Sequence, residues 1–256
     1  MTAFLPHLVF YVSFAVAIVA ALVIKPVAQD KTFHNFADTR RLFGIPNIGD
    51  VVSNGLYTVI GVYALIQLFW GPLGASFASW QIMAPYVVFF GGVALLGIGS
   101  GYYHWNPNNQ TLLWDRLPMV ITFMALLSAL LADRVDASLG IWSLLPLQMF
   151  GLGTVVWWHM TEQRGQGDLR LYGVVQFYPL LIMPVLVLIT PAGTWFGGLG
   201  FWLYLGFYGL AKLVECLDKA IYRLTGRIIS GHTIKHLFLA CGRLSILYML
   251  LQAAAR

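Results

Sequence analysis

The sequence predicts an all-α, multi-pass membrane protein, and three observations carry that prediction. Hydrophobic residues make up 59% of the chain and charged residues only 10%, against about 25% charged in soluble proteins. The apolar residues gather into runs of about 20, the length a helix needs to cross the hydrocarbon core. The Lys and Arg residues fall mostly between those runs, and unevenly on the two sides. A soluble domain this poor in charge could not cover its own surface.

Eight segments qualify as spans: 6–24, 50–70, 83–104, 116–132, 139–158, 172–190, 196–216 and 230–251. The first lacks a positive leading region and is long for a cleaved signal, so it reads as a retained helix. The third carries Gly91, Gly92, Gly97, Gly99 and Gly101. No strand precedes them, so close helix packing is expected and a nucleotide loop is not. The fourth is short. The seventh could run on toward Tyr222. The eighth begins at Ser230-Gly231-His232. Residues 1–256 read as one polytopic domain, with no soluble domain, linker or repeat.

Loop charge sets the expected orientation. One side holds Lys25, Lys31, Arg40, Arg41, Arg116, Arg164, Arg170, Lys219, Arg223 and Arg227; the other holds Arg134 and Arg256. Cytoplasmic loops are rich in Lys and Arg, so the first side is predicted to be cytoplasmic, with both termini outside. The formal charge of +5 is thereby a matter of topology. No basic cluster with stacking aromatics points to nucleic acid. Cys216 and Cys241 lie inside apolar segments without a CxxC context and read as buried small residues.

Chemistry gathers on the cytoplasmic side. His232 and His236 are four residues apart where the eighth span begins, so both imidazoles share one helix face and can grip one metal ion. His104 ends the third span. Ser100 sits one turn deeper on the same face. Asp115, eleven residues after His104, opens the fourth span. The alternation of spans puts His104, Asp115, His232 and His236 at one membrane boundary. Three imidazoles plus a water suit an open catalytic Zn²⁺ site. Asp115 is the expected general base and acid, and Ser100 an aid to the water or the oxyanion. No GxSxG elbow surrounds Ser100, so it is not read as a nucleophile.

These residues resemble a known family. Ser100-xxx-His104, Asp115 and His232-xxx-His236 are similar to the signature of the alkaline ceramidases, in the CREST superfamily of membrane hydrolases. Ile45-Pro46-Asn47-Ile48-Gly49-Asp50-Val51-Val52-Ser53-Asn54 and Ala211-Lys212-Leu213-Val214-Glu215-Cys216-Leu217-Asp218 resemble its bacterial branch. The resemblance spans roughly residues 34–250. It implies a seven-helix core over 50–251 with one extra N-terminal helix, in a bacterial inner membrane. It implies zinc on His104, His232 and His236, with Ser100 and Asp115 completing the site, and cleavage of the N-acyl bond of ceramide or a related sphingolipid. The animal members carry an acidic calcium site. Here Asp38 and Asn47 stand in that region and arginines intrude, which counts against calcium.

Other polar residues have two readings. Lys212, Glu215 and Asp218 form an ion-pair network or line the substrate cavity. Lys235 is expected to point away from the two histidines, snorkelling or pairing with Glu215 or Asp218. His7, His34 and His159 read as structural. Alternatives to the amidase are a hydrolase of another N-acyl or ester lipid, a zinc-containing receptor without turnover, and a transporter. Matching broken segments, which would favour the transporter, are not evident.

Overall fold

A computed structural model describes residues 4–256. In hydrocarbon every backbone N–H and C=O must be satisfied within the segment, which leaves helices as the simple solution for these apolar runs. Helix α1 covers Phe4–Val23. A single 3₁₀ turn at Lys31–His34 and a two-residue hairpin, β1 (Arg41–Leu42) with β2 (Ile45–Pro46), follow. The hairpin turn places Phe43 and Gly44 at φ 52° and 81°, the left-handed pair that suits strand twist. Then come α2 (Ile48–Ser53), α3 (Gly55–Phe69), α4 (Pro72–Ala75), α5 (Trp80–Trp105) and α6 (Asn109–Leu130), which ends in a π turn at Leu131–Val135. The chain closes with α7 (Ala137–Gln163), α8 (Arg170–Ile189), α9 (Gly198–Cys216), α10 (Asp218–Leu224) and α11 (Gly231–Ala254).

Among the described residues seven stretches are long and apolar enough to cross a membrane: α1, α2 with α3, α5, α6 with its π turn, α7, α8 and α11. The chain is therefore an all-α, multi-pass membrane protein. The expected seventh span, α9, forms a helix of 19 residues but is not among those seven. Its glycines, Lys212 and Glu215 dilute its apolar character.

Packing runs from α9 to α11, α3, α5, α6 and α7, with α8 against α6 and α7. Helix α1 lies outside, on α8. Only 17% of its apolar window is buried, so most of its surface is left for lipid. Ser13 and Tyr178 share a hydrogen bond of 2.9 Å there, and Phe14 packs on Tyr178.

Two boundaries differ informatively from expectation. The fourth span begins at Asn109, not 116, because Asn108 caps it. Its Oδ1 accepts from the N–H groups of Gln110 (2.9 Å) and Thr111 (3.0 Å), and Thr111 Oγ1 accepts from Asn108 N (3.2 Å). This capping box adds two polar turns ahead of the apolar run. Asp115 thus lies inside the helix instead of opening it. Arg116, expected in a loop, is 4% exposed. Its guanidinium lies 4.0 Å from the Trp158 ring centre and 4.5 Å from that of Tyr172, and Nη2 donates to Gln29 Oε1 (2.5 Å). The seventh span stops at Cys216 and restarts as α10 instead of running on.

The glycines of α5 divide. Gly92, Gly97 and Gly99 face neighbouring helices so closely that a Cβ would meet Ile121, Thr58 or the Trp114 carbonyl, whereas Gly91 and Gly101 have space. Pro118 has no N–H to give the Trp114 carbonyl four residues back. Gly99 approaches that same carbonyl, which sets Ser100 beside Asp115. The cysteines are corrected: Cys216 is exposed and Cys241 half-buried. An apolar position in a membrane helix faces lipid as readily as protein.

Candidate metal centre

His104 comes from the last turn of α5, and His232 and His236 from the first turns of α11. All three are at most 4% exposed. Their candidate ligand atoms lie within 4.8 Å of one another. The Nε2 atoms of His104 and His232 are 3.3 Å apart. Two nitrogens each about 2.05 Å from one tetrahedral ion would stand about 3.3 Å apart. His104 Nδ1 is buried without a hydrogen-bond partner. Three convergent, buried imidazoles fit a metal ion, and the group could hold one.

The surroundings orient the ligands. His236 Nδ1 bonds Ser53 Oγ on α2 at 2.8 Å, which leaves Nε2 for the ion; such partners set the ring's tautomer and direction. Asp50 Oδ1 accepts from Ser230 Oγ (3.0 Å) and Thr233 Oγ1 (2.6 Å), tying α2 to the start of α11. Ser230 caps α11 by accepting from Thr233 N (2.9 Å). Asp218 serves the same helix end: Oδ1 accepts from His232 N (2.8 Å) and Oδ2 from Ala37 N (2.9 Å). Helix starts leave such N–H groups unpaired otherwise. Phe36, in the segment before the hairpin, lies 4.7 Å from His104 and 4.3 Å from His232, ring centre to ring centre.

Asp115 and Ser100 line the same cavity as the three histidines, about 50 Å³ in volume. That is room for a few waters at the ~10–15 Å³ each needs. Ser100 lies beside Asp115 along this cavity. Lys235, expected to point away, lines this cavity too and donates to Glu215 Oε1 (2.5 Å). Glu215 also pairs with Lys212. Glu215 and Asp218 border a neighbouring outer hollow together with Phe36 and His232.

Asp38 and Asn47 lie elsewhere. Arg40 donates to both Asp38 oxygens (2.8 Å each), and Gly49 N to Oδ2 (2.9 Å). Burial pushes the Asp38 carboxyl up, but Arg40 and the backbone donors outweigh it and hold it below its ordinary value. Asn47 donates its amide to the His104 carbonyl (2.8 Å). The pair thus ties the hairpin down around α5. His34 joins Tyr103 and Asn109 by hydrogen bonds of 2.8 Å each, while His159 bonds Gln163.

Sequence reasoning missed Ser53 and Phe36. Ser53 belongs to the stretch 45–54, but only tertiary contact pairs it with His236. Phe36 is one of 17 phenylalanines and carries no local signal. No protein-family model matches the chain, and neither the curated proteins nor the solved structures hold a match.

Proposed function

We propose that this protein is a zinc-dependent membrane amidase that hydrolyses the N-acyl bond of ceramide or a related lipid to a fatty acid and a sphingoid base. One observation carries the reading: three buried imidazoles share a small cavity with a carboxylate, Asp115. Zinc is the metal that three neutral imidazoles and an open position suit. Bound there, it supplies a Lewis acid and lowers the pKa of water toward neutrality.

The chain's own residues account for the proton. Water oxygen adds to the acyl carbon, Asp115 takes the water proton, and the same carboxyl gives it to the nitrogen as the C–N bond breaks. Ser100, lining the same cavity, assists the water or the developing oxyanion. Beyond Met119 and Leu239 an adjoining apolar cavity extends toward Phe89 and Phe123, in the direction an acyl chain would take. The loop-charge bias supports a site at the cytoplasmic face.

The test is metal analysis of purified protein together with fatty-acid release from a panel of ceramides and other N-acyl lipids. About one zinc per chain and release that stops on metal removal are expected. Release that continues after all zinc is stripped would sink the reading.

A further inference from the structure

Arg243 lies on α11 seven residues beyond His236. Seven residues are two turns, so it shares the histidine's face and sits about 10 Å further along the helix. It is 8% exposed. Its Nη1 donates to the Leu239 carbonyl (2.6 Å), and its guanidinium lies 4.5 Å from the Tyr57 ring centre. Its Nε has no hydrogen-bond partner, and neither has the Tyr57 hydroxyl. Among the described residues Arg243 forms no salt bridge.

Position makes this unusual. Arg243, Met119 and Leu239 line both the metal-centre cavity and the apolar cavity beyond it, and Tyr57 lines the first. A guanidinium at membrane depth is costly unless its donors are met, and a plain hydrocarbon chain passing it would meet none of them. The arginine Nε can only donate and the Tyr57 hydroxyl can donate as well, so an oxygen acceptor complements both.

We propose that Arg243 and the Tyr57 hydroxyl form a second polar subsite in the cavity, and that the lipid taken here carries an oxygen acceptor (a hydroxyl, keto or ester oxygen) on its buried chain. This rests on the reading of the cavity as a lipid site. It goes beyond that reading by specifying the chain and not the bond cleaved.

The experiment measures binding of fatty acids to the purified, zinc-loaded protein in detergent. Mid-chain hydroxy and keto acids are compared with the plain acid of equal length. The expected result is about tenfold tighter binding of an oxygenated chain, the scale of a hydrogen bond to a charged donor. Arg243→Met should erase that advantage while leaving the plain acid's affinity in place. Tyr57→Phe should reduce it, and serves if the arginine variant does not fold. Equal wild-type affinity for plain and oxygenated chains overturns the subsite and spares the lipid reading. If no fatty acid of either kind binds, both fall.

Discussion

Helix α6 with its π turn carries a carboxylate near each end, and the two are employed differently. Asp133 is spent on structure. Its oxygens accept from the backbone N–H groups of Thr194 (3.0 Å), Trp195 (3.1 Å) and Phe196 (2.7 Å), fastening the loop before α9. Asp115, about 27 Å away along the helix, lines a cavity with Ser100 and three imidazoles. The hollow at the Asp133 end is the larger, about 350 Å³ against about 50 Å³. Volume is therefore a poor guide here. Chemistry is available where a buried polar group keeps unspent capacity, and Asp133 has little left.

The contrast can be broken most severely at the metal. In His232→Ala one imidazole is lost, and metal content should fall from about one ion per chain to near none, with hydrolysis abolished. Elemental analysis of the purified variant checks this; full metal retention would remove the triad from the site. The two carboxylates should then respond oppositely. Asp115→Asn should keep metal and thermal stability while the rate falls about 10²–10⁴-fold, the scale of general acid–base catalysis. Asp133→Asn should keep activity per folded molecule and lose about 2 kcal/mol of stability, since charge-assisted hydrogen bonds weaken. Rates and unfolding curves for both variants decide the matter, and a matching response would end the comparison.

A smaller effect is expected at Ser53→Ala. With its Nδ1 partner gone, His236 should bind metal about 10–100-fold more weakly, readable by chelator competition. Smallest is an acid effect in the loop between α7 and α8. Arg170 donates to both Asp168 oxygens, 2.8 and 2.9 Å, and the hydrogen bonds from that guanidinium draw the Asp168 carboxyl down to about 2. A lowered folded value stabilises above the unfolded value of about 3.9, and that contribution is lost as pH falls toward about 2. Arg170→Gln should thus melt lower than wild type near neutrality, and the gap should close as pH drops through that window. A gap that stays constant with pH would refute the assignment.

Some of this was legible residue by residue. The His232-xxx-His236 spacing puts two imidazoles on one helix face whatever surrounds them. The alternation of apolar runs brings His104 to the same membrane boundary. The Asn108-Thr111 cap was equally readable, yet a hydropathy window hides it, because polar helical turns contribute nothing to an apolar run. That is why Asp115 was set at a helix start and Arg116 in a loop. Lys235 makes the expected pair with Glu215, twenty residues away in sequence, but lines the histidine cavity instead of pointing away from it.

The amino-acid sequence alone determined the class of this protein and picked out the three histidines that could hold a metal ion. Both follow from periodicity and composition along single helices, and local geometry converts those directly into faces and lengths. Tertiary structure decided which polar groups are free to act. Asp115 and Asp133 are the same residue type on one helix, as Arg116 and Arg243 are both buried guanidinium groups in membrane helices. Only packing reveals that Asp133 is consumed by a loop, and that Arg116 rests on two aromatic rings while Arg243 borders the cavities at the metal centre. The reason is physical: a side chain's remaining hydrogen-bond capacity depends on partners brought from other helices, and no single helix encodes them.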